Sequence, residues 1–136
     1  MSRHPDWPER LHQVIAHWQH RPFIWGQSDC AHFALACLQA VSARDWGQVA
    51  LTPYASARGA LRLLARWQLR HVGELATRLL GPPGLPPAQL GRGDLVELAA
   101  PDGPALGVCL GAQLAAMSEH GLIFLPRASG RAGWRI

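Results

Sequence analysis

The run Gly81-Pro82-Pro83-Gly84-Leu85-Pro86-Pro87 limits this chain more than any other stretch. Proline fixes φ and lacks an amide donor, so the run fits neither a helix interior nor a central strand. It divides the 136 residues into two halves with different hydrophobic periods. Before it, apolar residues recur at helical spacing. After it, short apolar segments alternate with glycine and proline.

In the first half, Asp6 is placed to cap a helix with Pro8 in its first turn, and Leu11, Val14, Ile15 and Trp18 fall on one face. That helix should end near His20, before Arg21-Pro22. A second helix carries Cys30, Ala34, Cys37, Leu38 and Val41 along its core side. Ser56 caps a third, expected to turn Leu61, Leu64 and Trp67 inward, and Val72, Leu75, Ala76 and Leu79 suggest a fourth. In the second half the segments Asp94 to Leu98, Ala105 to Leu110, Gln113 to Met117, Leu122 to Leu125 and Trp134 to Ile136 read as strands. The expected architecture is a single α+β domain over residues 1–136. Helices in 1–80 pack on an antiparallel sheet of four to five short strands in 92–136, joined by a connector at 81–91.

Composition supports one packed domain. Apolar residues make up 49% of the chain, enough at this length to bury roughly two-thirds of the unfolded surface. Three cysteines, irregularly spaced, make no disulfide framework. No signal peptide is read at the amino terminus, and no apolar run reaches the roughly 18 residues of a membrane span. All 13 cationic side chains are arginine. Arg58, Arg62, Arg66 and Arg70 form a stripe along the third helix, read as a solvated face. A nucleic-acid partner is not expected, because no aromatic reading surface or binding motif accompanies the arginines.

The segment Phe23-Ile24-Trp25-Gly26-Gln27-Ser28-Asp29-Cys30 puts a cysteine at the mouth of the second helix. Unpartnered N–H groups and the helix dipole favour a thiolate there. Asp29 works the other way, since a neighbouring negative charge raises a thiol pKa. His32 follows two residues after Cys30 and points elsewhere on the helix. Trp25 and Trp46 are expected at a surface groove, where indole packs and still finds a hydrogen-bond partner. His17 and His20 on the first helix lack a further ligand, and no cysteine spacing matches a zinc pattern, so no metal or other cofactor is expected.

The order of these elements resembles the NlpC-type cell-wall cysteine peptidases. In this chain that order is an aromatic-Trp-Gly turn before Asp29-Cys30, then Gly93-Asp94-Leu95-Val96 opening a strand, then Ala105-Leu106-Gly107-Val108-Cys109 in the middle of the sheet. With Gly121-Leu122 and Ala132-Gly133-Trp134-Arg135, the chain is more narrowly similar to a phage and prophage group of this family. The resemblance implies a papain-like fold, with Cys30 as nucleophile, a histidine on the second strand as base and a third polar residue orienting it. Trp25 and Asp29 would then belong to the binding site. Aligned on Gly107, the chain has Ala105 where that histidine belongs, so the usual base is missing. His120, in the turn before Gly121-Leu122, is the candidate replacement. Strand alternation puts Cys109 on the same side as Ala105, the side expected to face the Cys30 helix.

Two functions follow from the resemblance. In the first, the chain is a structural or assembly component of a phage tail tip with a degenerate peptidase fold. It would reside in the virion after synthesis in the host cytoplasm, with the tail hub and neighbouring tail-tip proteins as partners. In the second, it is a working peptidoglycan hydrolase with Cys30 as nucleophile. Ala105 favours the first.

Overall fold

The computed structural model describes residues 2–46, 49, 51 and 53–136, and in it four helices precede the sheet. The first, α1 (Trp7–Trp18), buries Leu11 and Trp18 and rests Val14 and Ile15 against the core. Asp6 sits at its N-cap position but makes no capping bond. Its carboxylate instead accepts from Arg10 Nε at 2.8 Å. In α2 (Cys30–Val41) Asp29 does cap, taking the His32 N–H at 3.1 Å. The stripe Ala34, Cys37, Leu38 and Val41 is buried, and Phe33 meets Trp18 edge-on at 5.4 Å, which locks α2 to α1.

Ser56 caps α3 (Ala57–Arg66) through the Gly59 N–H at 3.0 Å. Its inward residue is Leu63, whereas Leu61, expected to be buried, is 62% exposed. The helical face is rotated because α3 leans on a groove and not on the core. Then α4 (Val72–Leu80) buries Leu75 and Ala76 and ends at Gly81, whose φ of 87° lets the chain turn into the prolines.

Five strands follow: β1 (Leu95–Ala100), β2 (Gly103–Cys109), β3 (Gln113–Ser118), β4 (Gly121–Pro126) and β5 (Gly130–Trp134). They form one antiparallel sheet in the order β4-β3-β2-β1-β5. The last strand begins earlier than the apolar tail suggests, because Gly130, Ala132 and Gly133 pair with β1 through their backbone and leave little hydrophobic trace. The helices pack on one face, where Leu106, Val108, Ala115 and Met117 join Phe33, Cys37 and Leu38. The opposite face has its own cluster of Val96, Leu98, Ala105, Cys109 and Leu114, covered by Leu85 and Leu90 of the connector.

Arg127 holds that connector in place. Its guanidinium donates to the carbonyl oxygens of Gly111 at 2.6 Å, Leu90 at 2.8 Å and Pro87 at 2.9 Å, and also reaches Ala88. At the same end of the sheet, buried Asp94 accepts from Arg3 at 2.9 Å, the Ile136 N–H at 3.1 Å and the Gly91 N–H at 2.8 Å. This ties both ends of the chain to the start of β1. Among the described residues no helix is long and apolar enough to cross a membrane.

Candidate functional site

The turn before α2 is shaped by Gly26. With φ at 80°, it brings its backbone so close to the segment from Pro53 to Tyr54 that a Cβ there would stand 1.8 Å from the Tyr54 carbonyl oxygen. Ser28 seals the turn by donating to Pro22 O at 2.6 Å. The result brings Tyr54 over the helix mouth. Its hydroxyl donates to Asp29 Oδ2, which also accepts from the Gly26 N–H at 2.9 Å.

Asp29 is 2% exposed and its carboxylate takes four donors from three residues. Burial alone would raise its pKa, but the donors from His32, Tyr54 and Gly26 outweigh burial and hold it at about 2. An ionised carboxylate only accepts, so His32 Nδ1, 2.7 Å from Oδ1, carries the proton of that bond. Tyr54 is pushed well above the usual phenol range by burial and by its bond to Asp29.

Cys30, the first residue of α2, opens onto a groove of about 560 Å³, a size typical of ligand sites. One wall carries Phe23 and Trp25, packed edge to face at 4.9 Å; the other is the apolar side of α3 with Leu61 and Leu64. Asp29, Tyr54, Ala105 and Ser118 line the same groove near Cys30. Burial pushes the Cys30 thiol up to about 11, the amide of Leu106 opposes this, and the charge of Asp29 adds to it. The two effects foreseen at the helix mouth are both present, and desolvation outweighs the dipole. At pH 7 the thiolate fraction is then on the order of 10⁻⁴.

The candidate base His120 is exposed in the β3–β4 turn, where its N–H donates to Ser118 Oγ at 3.1 Å, and it does not line the groove. Ala105 does line it, at the position where the resemblance puts the histidine. The imidazole that borders the groove is His71, next to α4, with Nδ1 3.4 Å from Glu97 Oε1 and Nε2 3.7 Å from Glu74 Oε1. Among the described residues no imidazole is hydrogen-bonded to Cys30 Sγ.

Two other expectations need correction. Cys109 shares a face with Ala105, and of α2 only its first residue, Cys30, packs against that cluster, because the buried stripe of the helix packs with the alternate residues Leu106 and Val108. Its sulfur instead accepts from the Gly111 N–H at 3.4 Å and Arg127 Nη1 at 3.3 Å. Trp46 is buried in the main core beneath Arg44, outside the groove, while Trp25 lies in it as expected. Among the described residues no group of three or more His, Cys, Asp or Glu is arranged to hold a metal ion.

Sequence reasoning weighs His32 only as a base for Cys30 and misses both its bond to Asp29 and the role of Tyr54. His32 had a signal: Asp-x-x-His is the spacing of an N-cap and its third helical residue. Tyr54 had none, since it reaches Asp29 from 25 positions away through a turn that only the fold defines.

The arrangement sets an apolar groove beside a thiol whose pKa burial raises, and among the described residues no imidazole is hydrogen-bonded to that thiol. No curated protein matches the chain in sequence. A family model described as "Domain of unknown function (DUF6950)" matches residues 2–136, and the chain belongs to that family.

Proposed function

We propose that the chain is a structural or assembly component of a phage tail tip, built on an NlpC-like papain-type fold that has lost catalysis and kept its groove. The observation that carries the loss of catalysis is Ala105 lining the groove with Cys30, whose thiol burial pushes up to about 11. A cysteine peptidase needs a base to take the thiol proton and return it to the leaving amine, worth about 10²–10⁴ in rate. The placement in a tail rests on the motif resemblance, which extends from Phe23 to Arg135. Its partners are the tail hub and adjacent tail-tip proteins, and it resides in the virion.

One observation favours the peptidoglycan hydrolase instead: Cys30 begins a helix, borders an open groove, and has beside it an Asp29–His32 pair of the kind that orients a catalytic imidazole. Complementing a phage that lacks the gene with the Cys30→Ala chain separates the two readings. The tail-component reading expects normal particles and unchanged wall clearing. Normal assembly with loss of clearing would identify an enzyme.

A further inference from the structure

The two edges of the sheet are finished differently. Along β5 the connector lies alongside: the Leu85 N–H donates to Gly133 O at 3.1 Å and the Gly133 N–H to Leu85 O at 2.9 Å. Pro82, Pro83, Pro86 and Pro87 surround that contact, and proline offers no donor to a further strand. This edge is closed.

At the other edge β4 has no such cover. β3 pairs with it from Gly121 to Pro126, and among the described residues no hydrogen bond from outside that ladder reaches residues 122–126. Alternate residues therefore turn N–H and C=O groups outward. Of the devices that usually blunt an edge, only a proline at the strand's last position, Pro126, is present. No charge lies between Gly121 and Leu125, no proline precedes Pro126, and the β3–β4 register runs without a bulge. What stands there is Leu122-Ile123-Phe124-Leu125. Leu122 packs toward the helix-side core and Leu125 toward the opposite cluster, while Ile123 is half-buried and Phe124 is 37% exposed. Both faces of the sheet are thus apolar and unfinished at this one edge.

We infer that β4 is a self-pairing edge, through which two copies of the chain join β4 to β4, antiparallel, about a two-fold axis perpendicular to the sheet. Such an axis sets a strand against itself. A charge near the middle of the strand would face its own like and forbid the pairing, and β4 has none. Side-chain alternation requires the axis to pass through a residue. With the axis at Ile123, Leu122 of one copy faces Phe124 of the other; at Phe124, Ile123 faces Leu125. Either register brings apolar side chains together on both faces, at roughly 0.2–1 kcal/mol per pair beyond the backbone hydrogen bonds. Neither Cys30 nor the groove takes part, so the inference stands apart from the proposed function.

Sedimentation equilibrium of the full chain across a concentration series tests it, with hydrogen exchange of the β4 amides as a second readout. The wild type should dimerise, and β4 amides should become protected as dimer forms. Phe124→Lys, at a partly exposed position, should raise the dimer dissociation constant at least about tenfold with an unchanged circular dichroism spectrum. Leu61→Lys, on the groove wall away from β4, should leave the dimer intact. A wild type monomeric at every concentration overturns the inference. So does a dimer indifferent to Phe124→Lys, or one lost in Leu61→Lys. A monomer whose β4 captures an extended strand of a different protein also overturns it, by assigning the edge to another partner.

Discussion

His32 Nδ1 lies 2.7 Å from Asp29 Oδ1, which turns the imidazole nearest in sequence to Cys30 toward a carboxylate and not toward the sulfur. The same carboxylate holds the Gly26 turn, the first turn of α2 and the Tyr54 segment. Asp29 therefore organises the helix mouth at the expense of its nucleophile, because its charge adds to the burial that keeps Cys30 protonated.

That organisation predicts an acid-sensitive fold. The Asp29 pKa falls from the ordinary 3.8 to about 2, so its contribution is fully present above the unfolded value and is lost as pH falls through the folded one. The difference corresponds to about 2 kcal/mol. Urea unfolding should show wild-type stability declining between about pH 4 and pH 2 by that amount, and Asp29→Asn should remove that part of the decline. A pH profile identical in the two proteins would exclude this role.

Gly26→Ala should be among the most damaging substitutions of a small residue. The new Cβ would meet the Tyr54 carbonyl at 1.8 Å, a backbone atom that cannot step aside, on a residue whose φ is 80°. We expect a loss of more than about 2 kcal/mol, measured by thermal or urea unfolding, and exposure of Tyr54 in its fluorescence. A loss within about 0.5 kcal/mol would show that the turn yields freely.

Arg127→Lys should destabilise although charge is kept. The planar guanidinium reaches Gly111 O, Leu90 O and Pro87 O at once, while a lysine ammonium cannot span that fork. The expected cost is about 1–3 kcal/mol, with faster hydrogen exchange at Leu85 and Gly133 as the connector loosens. Equal stability of the two proteins would mean that Leu85 and Leu90 hold the connector by packing alone.

Much of the architecture is legible in the sequence because its period changes at the Gly81–Pro87 run, and α2 in particular is fixed by the buried stripe from Ala34 to Val41. The failures are those of residues whose environment is tertiary. Leu61 has a perfect helical phase for burial, yet α3 faces a groove and leaves it in solvent. Strand alternation puts Cys109 on the side of Ala105, but the body of α2 packs on the other side with Leu106 and Val108, and only Cys30 reaches the Ala105 side. At the site, the helix-mouth cysteine and Ala105 are both readable, and the structure sets both on one groove. The sign of the thiol shift was not, because the dipole is local to the helix while the burial that outweighs it comes from the sheet.

The central claim, that Cys30 is held as a thiol and not as a nucleophile, is tested most directly by its alkylation rate with iodoacetamide as a function of pH. Cys37 and Cys109 are buried, so Cys30→Ala supplies the blank for the folded chain. From about pH 6 to pH 9 the wild-type rate should climb about tenfold per unit without a plateau, as a pKa of about 11 requires. Ala105→His, which returns an imidazole to the groove, should lower the apparent pKa by at least about one unit. A wild-type rate that levels off near pH 7 or below would contradict the account, since Cys30 would then be a primed thiolate without a histidine at Ala105.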